Sequence, residues 1–188
     1  MCKPNVNDPN HAALQAKVKQ LLSDRGYQVV DHHTYHESLP KGTQDLLIQS
    51  TSTLALSIRT MPDLIAFKDK ITIPIEIKTN TGKHDNCAIE AWPIIQSILL
   101  SHRTHYVYQR LQNTPRVMIA EESRIPTPTK LILTRKSTLL SKRVENLAKL
   151  IWPDIKVQWQ STAGSDDPYL IWDAETIATL PTLDQKWS

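Results

Sequence analysis

Three charged residues stand in a stretch whose remaining composition is typical of paired β-strands. Asp63 precedes the apolar run 64–67, while Glu76 and Lys78 fall inside a second run, 71–79. Side chains alternate between the faces of a strand, so Glu76 and Lys78 share one face about 6.6 Å apart along the chain. The opposite face of the second strand carries isoleucines, at Ile73, Ile75 and Ile77. One face is therefore hydrophobic, and the other places a carboxylate next to an ammonium group.

The register of these two strands can be counted, because only Lys68-Asp69-Lys70 separates them. If the turn centres on Asp69-Lys70, Asp63 lies directly opposite Glu76, with Cβ atoms about 4.5–5.5 Å apart. Two carboxylates this close repel unless a cation lies between them, and a hard divalent ion such as Mg²⁺ prefers oxygen ligands. A three-residue turn would shift the register by one and separate the pair. Pro74 is a second open point, since proline in a sheet is usually confined to edges or bulges.

The spacing of these residues resembles a known nuclease motif. Pro62-Asp63, followed after twelve residues by Glu76-Ile77-Lys78, is similar to the motif of the PD-(D/E)XK superfamily, which includes restriction and homing endonucleases, junction resolvases and repair nucleases. The resemblance implies an α/β fold with a restriction-endonuclease-like αβββαβ core, a mixed sheet flanked by helices, and a C-terminal extension. The alternative is a surface hairpin with a Glu76–Lys78 ion pair and an exposed Asp63.

The same resemblance implies a role for each residue of the motif. Asp63 and Glu76 would bind Mg²⁺ or Mn²⁺, with help from the main-chain carbonyl of Ile77. Lys78 would orient or activate the attacking water and stabilise developing charge. Many members carry a further acidic residue in the first helix, whereas residues 11–25 of this chain hold only Asp24, near the end. Glu37 is the predicted substitute ligand, with Asp45 as the alternative.

The activity implied is metal-dependent hydrolysis of DNA phosphodiester bonds by an endonuclease, either homing- or restriction-like or junction-resolving. The exonuclease-like branch of the superfamily tends to carry Gln and Tyr four residues apart on the helix after the motif, whereas this chain has Gln96 and Leu100. Cutting a duplex usually needs two active sites, so a homodimer or higher homo-oligomer is expected. Two alternatives stay open: an RNA nuclease, and a non-catalytic nucleic-acid-binding or assembly protein that retains the fold.

The charge distribution is uneven, although the net charge of the chain is only +3. Residues 91–149 carry ten Lys or Arg and three Asp or Glu, a net charge of +7, while residues 151–188 carry a net charge of −4. Lysine and arginine that neutralise phosphates supply most non-specific nucleic-acid affinity, and an ordinary solvated surface is the alternative reading. The predicted phosphate contacts are Lys83, Arg103, Arg110, Arg116, Arg135, Lys136, Lys142 and Arg143.

The remaining pattern predicts the elements that position the motif. A helix over Leu14, Val18, Leu21 and Leu22 should end at Gly26. Further helices are predicted at 88–100, with Pro93 in its first turn or two, and at 138–150, with Ser137 as N-cap and Leu140, Val144, Leu147 and Leu150 facing inward. Residues 32–43 are predicted as a loop or hairpin arm. Short strands are predicted at 27–30, 46–49, 54–58, 62–67, 71–79, 105–109, 117–120, 130–134, 155–158 and 169–172.

Length and composition bound the remaining possibilities. The 188 residues suit a single nuclease domain, with a core at about 10–120 and a C-terminal extension at about 121–188. Two cysteines support neither a disulfide framework nor a zinc site, and four glycines argue against a glycine-rich phosphate loop. No apolar stretch approaches the ~18 residues of a membrane helix, and no secretory leader is visible. A cytoplasmic setting with no membrane partner is therefore expected.

Overall fold

The computed structural model describes residues 9–49, 61–80, 86–135, 138–161 and 167–187. The helices in these ranges are α1 (Pro9–Asp24), α2 (His32–Ser38), α3 (Lys41–Gln49), α4 (Ala91–Leu99), α5 (Thr138–Ile151), α6 (Ala174–Ala178) and α7 (Leu183–Lys186). The strands are β1 (Gln28–Asp31), β2 (Leu64–Lys68), β3 (Ile71–Asn80), β4 (Asn86–Glu90), β5 (Thr104–Arg110), β6 (Arg116–Ala120), β7 (Lys130–Thr134), β8 (Lys156–Gln160) and β9 (Tyr169–Asp173). None of the helices in these ranges has the length and apolar character needed to cross a membrane.

A five-stranded mixed sheet in the order β1-β2-β3-β5-β6 carries the predicted motif near its middle. The pairs β1–β2, β2–β3 and β5–β6 are antiparallel, whereas β3 and β5 are parallel. Parallel neighbours need a crossover connection, and α4 lies within it. The predicted αβββαβ order is therefore present as α1, β1, β2, β3, α4 and β5, with α2, α3 and β4 inserted. The predicted α/β class with a mixed sheet flanked by helices is confirmed.

Helix α1 covers one face of this sheet and ends where predicted. Its buried residues Leu14, Val18 and Leu22 pack on Leu64, Ala66, Ile73, Ile75 and Ile77 of β2 and β3. Gly26 has φ +80°, a conformation that glycine adopts without strain. The Tyr27 N–H donates to Leu22 O and the Gly26 N–H donates to Ser23 O, at 3.0 Å and 2.9 Å. These two bonds form a Schellman motif, which stops the helix and directs the chain into β1.

The other face of the five-stranded sheet is buried by the rest of the chain. A second sheet in the order β4-β9-β7-β8 is built from the short strand β4 and three strands that follow residue 129. A single hydrophobic cluster joins Tyr106, Tyr108 and Met118 of the first sheet to α4, α5 and the second sheet. The division into a core and an extension stays a prediction, and β4 from the predicted core pairs with β9 from the predicted extension.

Two segments before the motif differ from the predictions. Residues 32–43 are not a loop or hairpin arm, since α2 and the start of α3 lie there, and the predicted strand at 46–49 is the end of α3. The Asp31 carboxylate accepts the Thr34 N–H at 3.4 Å, which helps α2 to begin. A short apolar run such as 46–48 fits helix and strand equally well, so periodicity alone did not separate them. The predicted strand at 54–58 lies outside the described residues.

Two helices after the motif also need correction. Residues 88–90 belong to strand β4, and α4 begins only at Ala91, with Pro93 in its first turn as predicted. Strand β4 pairs with β9, about eighty residues away, and a local pattern does not show that partner. In α5 the buried stripe is Ser141, Val144 and Ala148, with Leu140 and Leu147 beside it. Leu150 is 72% exposed because it lies on the opposite side of that stripe. Ser137, the predicted N-cap, lies outside the described residues.

Candidate active site

The β2–β3 hairpin has the register that places Asp63 opposite Glu76. Leu64 pairs with Ile75 and Lys68 pairs with Ile71, so only Asp69 and Lys70 form the turn. Asp69 has φ +52°, in the left-handed region, where aspartate is tolerated better than most residues. Pro74 precedes the first β3–β5 pair, at Ile75 and His105, so its missing N–H leaves no gap in that ladder. The predicted two-residue turn is confirmed, and Pro74 does not interrupt the hairpin.

The Asp63 carboxylate is bound to the backbone of the motif itself. Its Oδ2 accepts the Ile77 N–H at 2.7 Å. The backbone pairing between β2 and β3 ends at Leu64 and Ile75, so the Asp63 side chain continues it at Ile77. The same oxygen lies 3.6 Å from Nε2 of His11, which reaches it from α1. Burial acts to raise the pKa of Asp63, but His11, the Ile77 N–H and the Lys78 charge together hold that pKa below its ordinary value. The contact with Asp63 in turn raises the pKa of His11. Asp63 is therefore an ionised, fixed carboxylate.

Lys78 is held between two carboxylates. Its Nζ lies 2.7 Å from Oε1 of Glu76 and 3.0 Å from Oε2 of Glu90, at the end of β4. Burial acts to lower the pKa of Lys78, but the charges of Glu76 and Glu90 outweigh it and raise that pKa. Lys78 is consequently a charged hydrogen-bond donor. Glu90 makes no side-chain bond to the start of α4, although it occupies the N-cap position of that helix.

Glu76 is the carboxylate whose charge is least compensated. Burial raises the pKa of Glu76 to about 7, and the charges of Asp63 and Glu90 add to that rise, while Lys78 opposes it. Three carboxylates thus share one protonated lysine and the His11 imidazole. A group with a strongly perturbed pKa beside a specific charge partner is typical of functional sites. We call Asp63, Glu76 and Lys78 the hairpin site.

The donor set of the hairpin site fits a small hard cation. In the described ranges no group of three or more His, Cys, Asp or Glu side chains is arranged to hold one metal ion. Mg²⁺ does not need such a cage, since it is commonly bound by one or two carboxylates and keeps several waters. Asp63, Glu76 and the Ile77 carbonyl can supply that number of oxygens. The excess of negative charge around Glu76 is an independent reason for a cation to bind there.

Sequence reasoning missed two residues that the fold brings to the hairpin site. His11 lies three residues before Leu14 and seven before Val18, so it belongs to the same face of α1 as the buried residues. A histidine on that face could have been recognised from the sequence as a candidate site residue. No local sequence pattern indicated a role for Glu90, because residues 88–90 of β4 were predicted as part of a helix. Glu37, the predicted substitute ligand, is exposed on α2, and no contact joins it to Asp63 or Glu76 in the described ranges.

The predicted phosphate contacts are dispersed over the surface. Arg103 is exposed and lies 3.4 Å from Glu121, and Arg143 stacks on the ring of Trp92 at 5.0 Å. Lys142 and Arg135 are exposed, on α5 and just before it. Arg110 and Arg116 are half-buried and line one cavity. Lys83 and Lys136 lie outside the described residues.

The likeness of this chain to known proteins lies in structure and not in sequence. No family model matches this chain, and no curated protein does so either. Among solved structures, the chain is similar to Hjc, a Holliday junction resolvase from the archaeal hyperthermophile Archaeoglobus fulgidus. The alignment covers 92% of this chain and 91% of that chain, with 8% sequence identity and a TM-score of 0.44. At this identity and TM-score no residue role is transferred, and the functional assignment rests on the hairpin site itself.

Proposed function

We propose that this protein is a nuclease that hydrolyses DNA phosphodiester bonds with Mg²⁺ or Mn²⁺ at the hairpin site. The observation that carries the proposal is the two-residue turn of the β2–β3 hairpin. It sets Asp63 opposite Glu76 and leaves the Lys78 ammonium 2.7 Å from Glu76. These are the residues of the PD-(D/E)XK-like motif, and the hairpin brings two carboxylates and an ammonium group together. The preference for DNA over RNA comes from the family resemblance alone.

Each residue has a role that follows from its contacts. Asp63 and Glu76, with the Ile77 carbonyl, would hold the metal, and His11 keeps Asp63 ionised. A bound divalent ion supplies polarisation of the phosphoryl group and a water of lowered pKa. Lys78 is held protonated, so it donates hydrogen bonds to the attacking water or to a phosphate oxygen and stabilises the negative charge that develops there. Glu90 keeps the Lys78 ammonium in place.

The oligomeric state and the substrate subclass belong to the same proposal. A duplex has two strands, so double-strand cleavage is expected from a homodimer or a higher homo-oligomer with two hairpin sites. The motif is shared by homing, restriction and junction-resolving enzymes, so plasmid and branched DNA are both tested as substrates.

The test is a cleavage assay on supercoiled plasmid, four-way junction DNA and single-stranded RNA, each with Mg²⁺, Mn²⁺ or EDTA. We expect metal-dependent cutting of at least one DNA substrate. Glu76→Gln, Asp63→Asn and Lys78→Met should each lower the rate by at least about 100-fold, because each removes a group that acts in the transition state. Asp69→Asn is the matched control, since it removes an exposed carboxylate from the same hairpin and should cut at the wild-type rate.

Other outcomes would redirect or overturn the proposal. Cutting that persists in EDTA, or full activity in the Glu76→Gln variant, would contradict the hairpin site as the catalytic centre. Cutting of RNA alone would support phosphodiester hydrolysis at the hairpin site, with RNA in place of DNA as the substrate. Binding of nucleic acid with no cutting of any substrate would favour the non-catalytic alternative.

A further inference from the structure

A cavity of about 270 Å³ lies on the face of the five-stranded sheet that carries Glu76 and Lys78. It is bounded by the β5–β6 hairpin, the start of β4, and α6. Its polar lining includes two guanidinium groups, two side-chain amides and an aliphatic hydroxyl group. We call it the arginine cavity, and these polar residues are Arg110, Arg116, Asn86, Asn113 and Thr114.

The lining of the arginine cavity is suited to an anion. The charged residues of the lining are Arg110 and Arg116, and none of the described lining residues is Asp or Glu. A guanidinium presents a planar fork of donors that matches the oxygens of a phosphate group. Amide and hydroxyl donors add hydrogen bonds of the same kind. The volume exceeds that of a single ion, since a water occupies only about 30 Å³ of liquid. The cavity therefore has room for a phosphate together with part of the nucleotide that carries it.

Arg116 is held in place before any ligand arrives. It is half-buried in β6, and its Nη1 donates to Leu180 O at 3.1 Å. Arg110 ends β5, where it pairs in register with Asn80 of β3. Because Arg116 is already ordered, less side-chain freedom is lost when an anion binds. The cavity is thus a preorganised feature of the fold and not a pair of loose surface cations.

The arginine cavity is close to the hairpin site. Lys78 pairs in register with Tyr108, and Tyr108 pairs with Arg116, so the three residues form one row across β3, β5 and β6. Neighbouring strands lie about 4.8 Å apart, which separates the backbones of Lys78 and Arg116 by roughly 10 Å. Residues paired in this way point to the same face of the sheet. Every nucleotide of a strand carries a phosphate, so a cavity this close to Lys78 can bind a phosphate near the bond that is cut.

We propose that the arginine cavity binds a second phosphate of the DNA strand, a few nucleotides from the bond that is cut. The inference rests on the proposed nuclease function and extends it with a substrate-binding subsite. Arg110 and Arg116 clamp the phosphate oxygens, and Asn86, Asn113 and Thr114 complete the hydrogen bonds. The site fixes the position of the strand relative to Lys78.

Binding measured without cleavage tests this subsite separately from the chemistry. Fluorescence anisotropy in EDTA would follow six-nucleotide single strands that carry a 5′-phosphate, a 3′-phosphate or hydroxyl ends. The double variant Arg110→Gln/Arg116→Gln removes both guanidinium groups. Ala178→Phe places a ring at the exposed Ala178 of the lining and leaves both arginines intact. The matched control Lys17→Gln/Lys19→Gln removes two exposed cations from α1, which packs on the opposite face of the sheet.

We expect the double variant and Ala178→Phe each to weaken binding by at least about tenfold, with the control changed less than about twofold. The double variant should also make the negative slope of log affinity against log salt less steep by about 1, since fewer counterions are released. A preference for one phosphorylated end that disappears in the variants would place a strand terminus in the cavity. Equal weakening of all three strands would place an internal phosphate there.

Three results would overturn the subsite. Wild-type affinity and salt slope in both the double variant and Ala178→Phe would exclude phosphate from the arginine cavity. An equal loss in the α1 control would show only general attraction between a basic protein and DNA. If the wild-type protein binds none of the strands yet cuts DNA, the subsite is wrong and the nuclease proposal stands; if it neither binds nor cuts, both fall.

Discussion

The two faces of the β2–β3 hairpin are built from the same strands and carry opposite kinds of side chain. On the face toward α1, Leu64, Ala66, Ile75 and Ile77 are fully buried among apolar side chains. On the other face, Glu76 and Lys78 are half-buried charged groups that pair with one another, and Lys78 also pairs with Glu90. Burying apolar surface stabilises the fold by about 25 cal/mol per Å². Removing charges from water costs free energy that their mutual attraction need not recover.

Within the hairpin, this difference separates a face that stabilises the fold from a face that carries the charged residues of the hairpin site. Glu76 of the hairpin and Glu90 of β4 both pair with Lys78 there, and Asp63 lies beside them. The apolar face holds β3 rigid, and that rigidity keeps the Asp63, Glu76 and Lys78 side chains at fixed separations. The packing of the apolar face therefore fixes the positions of the charged side chains on the other face.

Ile75→Ala should produce the largest change, because Ile75 is fully buried under α1. Truncation leaves a cavity, and the free energy of unfolding should fall by about 2–5 kcal/mol in urea denaturation. Ile71→Ala is the matched control in the same strand. Ile71 is 54% exposed, so its truncation should cost less than about 1 kcal/mol. Equal losses in the two variants would show that α1 does not pack on β3 as described.

The second prediction uses His105, which pairs in register with Ile75 on the apolar face and packs on Trp187 at 6.0 Å. Burial lowers the pKa of His105 to about 4, assisted by the nearby charge of Lys186. The unfolded chain binds this proton near pH 6.5 and the folded protein only near pH 4. Neutral His105 therefore contributes fully to the free energy of unfolding above pH 6.5. This contribution, as much as about 3 kcal/mol, is lost as the pH falls toward 4.

The measurement is urea unfolding of the wild type and His105→Asn at several pH values between 7 and 4. The variant cannot take up this proton, so the difference in stability between the two proteins should shift in its favour by about 3 kcal/mol as the pH falls. A difference that stays constant with pH would show that His105 is not a buried neutral histidine.

The smallest effect on stability is expected at Glu76, the immediate neighbour of Ile75. Glu76→Gln removes a buried charge that is repelled by Asp63 and Glu90, and Lys78 keeps Glu90 as a partner. The free energy of unfolding in EDTA should stay unchanged or rise by up to about 1 kcal/mol, while cleavage is lost. A fall of more than about 2 kcal/mol would instead identify the Glu76–Lys78 pair as a structural ion pair and weaken the contrast between the two faces.

The predictable part of the candidate site is the part contained in one hairpin. Alternation in 71–79 assigned Ile75 and Glu76 to opposite faces, and the short connection left two registers, of which the structure has the one with its turn at Asp69-Lys70. Both are short-range properties, since they depend on strand geometry and turn length alone. Asp63, Glu76 and Lys78 could therefore be grouped before any tertiary structure was known. Their metal and their substrate stay proposals.

The parts that were missed depend on packing between distant segments. Glu90 reaches Lys78 because β4 pairs with β9 at Tyr169, and neither partner is visible from the other's local sequence. The segment 46–49 was predicted as a strand because a short apolar run does not distinguish the two periods. Arg110 and Arg116 were recognised as basic residues, but α6 and β4 are what enclose them in a cavity.

The amino-acid sequence by itself determined the hairpin, the face on which its charges lie, and the hydrophobic stripe of α1. These follow from the repeat of two in a strand and the repeat of 3.6 in a helix, together with a connection short enough to predict a tight hairpin. Only the tertiary structure decided that His11 contacts Asp63, that Glu90 holds Lys78, and that two arginines share one cavity. Those contacts join segments far apart in the chain, and the packing of two sheets and their helices sets their distances.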